Sequence, residues 1–383
     1  MQKNLYYIIS AVLCSLFFCQ CKDKFTPKIE SGNVNYLVVD GTIVPGLGNT
    51  THITLSRTLP LDTDEKLIVE TGALVSVEVE NGTSFAFVED KPGNYYGKDI
   101  VVPAGGNCRL KISTKNQSQY ASAFVPVKIS PAIDRIDYYI KNKDAQIYVN
   151  THDATNNTRY YRWLYDGTYE YHSQFLALVK FDPATSTLVP TDFPFQDKMW
   201  RCWQKDINTS ILIASTEQLA VDEVFQAPLK IIRDKSVEFS VGYSVYLKQY
   251  ALTKEAYYYY FNLRKVTEQL GGIFSPLPTE VKGNIFCINN PKEPVIGFIS
   301  ASTESIKRQF IPRPMDWRYI NTCGFPDPEY DRSKIGLAWI FSGGGYIVYE
   351  DNDPKKGSGY ISSSCVECTK LGGTNEKPIF WPL

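Results

Sequence analysis

Histidine and methionine are nearly missing from this sequence, with three of each in 383 residues. Three imidazoles leave little material for His-based metal or acid–base sites. His52 falls in a strand pattern, His152 in a polar loop and His172 among aromatics; none makes H-x-H or H-E-x-x-H. Metalloprotease chemistry therefore has no support. A G-x-S-x-G elbow and a phosphate-binding loop are lacking as well. Neither sign of charge is in excess: 40 Lys and Arg face 41 acids, for a net charge of -1, and there is no strongly basic block. That argues against nucleic acid as a partner. No apolar run approaches the ~20 residues that a helix needs to span a bilayer.

The longest such run, Tyr6 to Phe18, follows Lys3 and has the length of a secretory signal core. A plain signal peptide ends in small residues. This one ends in cysteine, as a bacterial lipoprotein signal does, where the thiol takes a diacylglycerol and the chain is cut before it. Cys21, directly before the charged "KDK", is the candidate lipidated residue. Cys19 is the alternative, with Leu16 three places upstream but Phe18 just before the cut. The expected layout is a signal over 1–20, a tether over 21–31 and a soluble body held on the membrane by its acyl chains. An outer-membrane lipoprotein follows from this, with its facing side left open by "CKDK".

Roughly 360 residues remain, enough for two or three cored domains. Aromatics make up 14%, including 26 Tyr, which favours β-structure and large contact surfaces. Residues 32–128 read as a small immunoglobulin-like or transthyretin-like β-sandwich. "YLVVDGTIV" closes at Pro45-Gly46, "THITLSRT" follows, and Ala73, Val75, Val77 and Val79 alternate against Leu74, Ser76, Glu78 and Glu80. Asn81-Gly82 is a hairpin dipeptide. Cys108, Leu110 and Ile112 share a strand face, so Cys108 reads as a small buried hydrophobe. Pro126 and Pro131 mark a boundary.

Residues 132–383 read as a larger β-rich domain with one prominent α-helix. "RYYRWLYDGTYEYHSQF" alternates around Asp166-Gly167. In "SVEFSVGYSVYLKQY", Val237, Phe239, Val241, Tyr243, Val245 and Leu247 form one face of a strand. The helix, near 254–270, is capped by Thr253, with Ala256, Tyr260, Leu263, Val266 and Leu270 as its apolar stripe. Gly271-Gly272, Pro276 and Pro278 stop it. The run Tyr257 to Tyr260 suits a ligand platform, but such tyrosines more often pad a helix against a sheet. Gly343 to Gly345, between apolar strand-like runs, read as a turn or bulge. Asp351 and Asp353 begin like a calcium loop, but Lys355 occupies a ligand position, so no metal or cofactor is expected. Cys365 and Cys368 form a C-x-x-C with no second pair for zinc and no βαβ setting for redox work, which leaves a structural disulfide. A transmembrane barrel fits poorly, because a helix with polar sides interrupts the strands.

Several stretches together resemble the Bacteroidota lipoproteins catalogued as domain of unknown function 4249. They are "YLVVDGTIV" with "ITLSRTLP", "RYYRWLYDGTYEY", "RCW", the helix with its tail, "NPKEPVIGFISAS" and the ending "CVECTKLGGTNEKPIFWP". The resemblance implies no established activity and no defined catalytic residues. It implies an accessory to TonB-dependent uptake, and a structural role for Cys202, Cys365 and Cys368. With Cys323 these are the candidate disulfide cysteines, their pairing open. The expected function is thus a non-enzymatic binding or accessory lipoprotein working with a TonB-dependent transporter, its small-molecule, glycan or peptide ligand unspecified. A surface hydrolase for glycan or peptide and a purely structural or assembly lipoprotein are the alternatives.

Overall fold

A computed structural model describes residues 35–59, 67–268, 281–320, 323–327, 333–349 and 358–382. The expectations for Cys19, Cys21, Leu270, the Gly-Pro stop after the helix and Asp351/Asp353 lie outside the described residues. The chain is mainly β, with a nearly closed sheet at its N-terminal end.

That sheet grows from alternation. Leu37–Ile43 pairs antiparallel with Thr50–Arg57, and Leu74–Val79 with Asn107–Ser113. Ala73, Val75, Val77 and Val79 point inward, as their spacing predicts, and Cys108, Leu110 and Ile112 join the first three in one core. Gly82 takes a positive φ in the hairpin turn after Val79.

The sheet is not confined to 32–128. Ile285–Cys287 pairs with Gln119–Ser122, and Val295–Ile296 lies parallel to Leu37–Ile43. Ser300–Ser302 then inserts between Leu37–Ile43 and Val125–Lys128, parallel to both. Local periodicity carries no sign of a pairing across more than 170 residues, so the sequence boundary at 128 misses this return. Gly297 permits the close approach: its φ is +141°, and a Cβ there would lie 2.2 Å from the Val39 carbonyl oxygen.

The second unit packs two antiparallel sheets face to face. One runs Arg201–Ile207, Tyr160–His172, Gly242–Ala251, Glu304–Pro312, with Leu212–Ser215 also on the long strand. The other is Ile133–Lys141, Asp144–His152 and Glu223–Ile232. Their shared core holds Tyr161, Trp163, Tyr243 and Phe239 against Ile136, Ile147 and Val149. Asp166-Gly167 does not interrupt the alternation. It sits midway along a 13-residue strand, where the missing side chain of Gly167 makes room for Tyr243.

The strand expected from Val237 begins only at Gly242. Ser236 caps a short 3-10 turn, Val237–Phe239, that wedges Phe239 edge-on against Trp317 and Tyr243. Val237 and Phe239 are thus apolar for packing, not for strand pairing. The helix Lys254–Glu268 starts at Thr253, whose Oγ1 accepts from the Ala256 amide. It lays Ala256, Tyr259 and Tyr260 on Tyr160, Leu252 and Phe298. Two further helices among the described residues correct the expectation of one. Phe193–Trp200 is capped by Asp192 with Pro194 in its first turn, and Lys334–Ser342 is capped by Ser333. The second is short enough for its apolar residues to read as strand. So Gly343 to Gly345 do turn the chain, but from a helix into the strand Gly345–Tyr349.

Candidate functional site

These two short helices belong to a lobe built on one end of the second unit. It also contains the hairpin Val179–Asp182/Thr187–Pro190 and the strand pair Gly345–Tyr349/Ser358–Ser362. Its own cores are small: Ala177, Tyr346, Val348, Ile361 and Val366 in one, Val179, Leu337 and Ile347 in the other. Cores of that size hold a lobe poorly unless something staples it. Two disulfides do so. Cys323 joins Cys365, packed within the first small core, and Cys202 joins Cys368, anchoring the C-terminal segment to the edge of the central sheet. All four candidate cysteines are used, and Cys365 and Cys368 bond to different partners. Cys108 and Cys287 are buried free thiols of the first core. Burial pushes the Cys108 thiol up to about 12, which disfavours the thiolate.

Beyond Cys368 the chain stays on the sheet. The Trp203 and Thr374 backbones exchange hydrogen bonds, and Tyr171 Oη donates to the Cys368 carbonyl while accepting from the Gly373 amide. Trp381 closes edge-on against Trp203 and Phe310.

The outside of the lobe is apolar where solvent should meet it. Lys334–Ser342 reads "KIGLAWIFS". Leu337 turns inward, yet Ile335 and Trp339, one turn apart, are 80% and 77% exposed. A helix that is apolar on both faces is expected to be covered on both. Ile335 and Trp339 line a groove of about 700 Å³ with Phe181, Pro183, Ala338 and Phe341, while Lys334 and two serines supply its polar rim. Grooves of this make-up mark interaction sites. Sequence reasoning took this run for strand and so missed the groove. The signal was there in Ser333 as a cap, followed by apolar residues at both i and i+4.

Residues singled out for chemistry turn out to be held in structure. Tyr259 and Tyr260 pad the helix, with Tyr257 half-buried and Tyr258 turned outward. His52 stacks on Tyr96. His152 ends a strand rather than lying in a loop, and hydrogen-bonds Asp134, which raises its pKa. His172 reaches Glu170 at 2.7 Å beneath Trp200. Burial pushes the Glu170 carboxyl up, but His172 and Arg201 outweigh it and hold the group below its usual range. Asp222, fully buried, accepts from Tyr161 Oη, Thr216 Oγ1 and the Arg159 amide. Asp222 is thus saturated with donors, as a buried structural carboxylate is.

Asp153 sits beside this knot and gives it a pH signature. Burial raises its pKa, but the Thr155 and Thr158 hydroxyls and the Thr155 and Asn157 amides win, holding it well below the carboxylate range. A depressed folded pKa contributes stability that is present above the unfolded value of about 3.9 and lost as pH falls through the folded one. The Asp153→Asn variant is therefore expected to be less stable at pH 7 and less acid-sensitive below about pH 4. Urea midpoints measured from pH 2 to pH 7 check this; parallel curves for the two proteins would exclude it.

The fold and the groove define a mainly β body with a stapled, apolar-faced lobe. The chain belongs to the family described as domain of unknown function (DUF4249), whose model matches residues 22–308. The match stops before the lobe's second helix and the "CVEC" ending. No curated protein matches the sequence. One solved structure, described as manganese lipoxygenase of Gaeumannomyces graminis with partial zonadhesin of Komagataella pastoris, aligns over 57% of this chain and 89% of its own. At 11% identity and a TM-score of 0.16 it carries no argument.

Proposed function

We propose that this protein is a non-enzymatic, outer-membrane lipoprotein of Bacteroidota that docks through the groove of its lobe onto a TonB-dependent transporter and assists nutrient uptake. The observation that carries the reading is the two-faced apolar helix, with Ile335 and Trp339 left exposed on its outer side. An interface core wants such anchors, aromatic and aliphatic together, ringed by polar groups. The first unit, taken as an immunoglobulin-like or transthyretin-like sandwich, would act as a spacer between the lipid on Cys21 and the working lobe.

A crosslinked, detergent-solubilised pull-down of the tagged native lipoprotein tests the proposal. A TonB-dependent transporter is expected at near-equal amounts. Replacing Trp339 by Ser is expected to cut its recovery about tenfold or more, as loss of an interface anchor does. Because that side chain is exposed, thermal unfolding should stay unchanged. Recovery of the lipoprotein alone, or undiminished transporter with Trp339→Ser, would overturn the reading and bring hydrolase assays forward.

A further inference from the structure

A second concavity lies where the first sheet faces the second unit. It is small, about 210 Å³, and polar: Asp40, Thr42 and His52 on one wall, Arg162, Lys248 and Glu304 on the other. Two of these charges are already matched. Lys248 Nζ lies 3.1 Å from Glu304, which also accepts from the Tyr250 hydroxyl. His52 is neutralised as a donor by Asn94 at 3.0 Å and by its stack on Tyr96.

Arg162 is different. Its guanidinium lies 4.1 Å over the ring of buried Tyr260, and Nη1 donates to Tyr260 Oη at 2.7 Å and approaches Thr42 Oγ1 at 3.5 Å. These contacts fix the orientation of the fork without neutralising it. Among the described residues no carboxylate lies within ion-pair distance of it. A guanidinium held flat, charged and half-open in a cleft is preorganised for a carboxylate. Asp40 is its counterpart on the other wall: exposed, its carboxylate without a hydrogen bond or ion pair among the described residues. The two fields overlap at Tyr260, whose hydroxyl is raised by burial, lowered by Arg162 and raised by Asp40. One unpaired cation and one unpaired anion thus address the same small space.

We propose that this cleft binds a small zwitterion, an amino acid or short peptide, with its carboxylate on Arg162 and its ammonium on Asp40. The size excludes a folded domain or a long glycan, and ligands of drug size want about 300 Å³ or more. The two aromatic rings of the lining are engaged, His52 stacked on Tyr96 and Tyr250 buried with its hydroxyl on Glu304, so a sugar gains little stacking surface. The site does not depend on the transporter reading, since it lies in the contact between the two β-units and not on the lobe.

Isothermal titration of the detergent-solubilised full chain tests it, with L-alanine and L-alanyl-L-alanine as probes. N-acetyl-Ala-Ala blocks the ammonium and Ala-Ala-amide blocks the carboxylate. Binding of one or both free probes is expected, and each blocked form should bind about tenfold more weakly or worse. Arg162→Gln should erase the penalty for the amide while leaving that for the acetyl form, and Asp40→Asn should do the reverse. Arg162→Lys retains charge where loss of the Tyr260 stack unsettles the fold, and Asp40, being exposed, gives a variant free of that concern. No heat from either free probe at millimolar concentration would overturn the proposal, as would equal affinity for free and blocked peptides.

Discussion

Replacing Cys202 and Cys368 together by Ala is expected to cost about 5 kcal/mol and lower Tm by roughly 10 °C. The bond closes a sequence separation of 166 residues, and in the chain-entropy view long loops gain most from closure. The Cys323–Cys365 bond is nested inside it and spans 42 residues. The dependence on loop length is logarithmic, so that inner bond takes away only tenths of a kcal/mol. The local effect should be as visible as the global one. Without the anchor, the segment after Cys368 keeps the Trp203–Thr374 pairing, the Tyr171 hydroxyl, the packing of Trp381 and the contact of Phe380 with Arg308. Limited proteolysis should then cut within 369–382 well before the rest of the chain. A tail as resistant in the double variant as in the native protein would sink the expectation, and so would an unchanged Tm under reductant.

Gly167→Ala is the second large effect, expected at about 3 kcal/mol. A Cβ at Gly167 would sit 2.0 Å from Tyr243 Oη and 2.7 Å from Cζ. The ring cannot step aside: it is fully buried between the sheets, edge-on to Phe239, with its hydroxyl donating to Asp206. Asp206 in turn shares Lys230 with Glu238. Accommodating one methyl group therefore means overpacking a core and breaking a charge-assisted hydrogen bond together. Tyr243→Phe relieves the closest contact, so the double variant should lose less than the sum of the single ones. Denaturant unfolding of the four proteins gives that coupling. Strict additivity would show that Gly167 and Tyr243 do not meet as described.

The same glycine shows how far the sequence could be read. Asp-Gly is a common turn dipeptide, yet the alternation read around it runs on unbroken. The reason for a glycine there is a tyrosine from a strand some 75 residues away, which no window of ten sees. Alternation in 73–79 and 107–113 was legible because each strand has one wet face; burial follows the written period. The helix from Thr253 was legible because cap, stripe and length agree. Phe239 misled because it is apolar at the right spacing, yet serves a 3-10 turn. The site suffered most. Its groove depends on which face of a short helix remains uncovered, and its cleft depends on bringing Asp40 and Arg162 together across the contact of two units. Neither has a local signature, and for a family model ending at 308 the groove helix lies beyond the match.

The return of Ser300–Ser302 into the first sheet also sets an order of events in time. A chain emerging N-terminus first from the ribosome completes residue 128 with a gap beside both Leu37–Ile43 and Val125–Lys128. About 170 further residues must follow before the strand that fills it exists, on the order of ten seconds or more of synthesis. Until then those strands present open edges with their backbone groups unpaired. The first unit in the sequence is therefore among the last to finish folding.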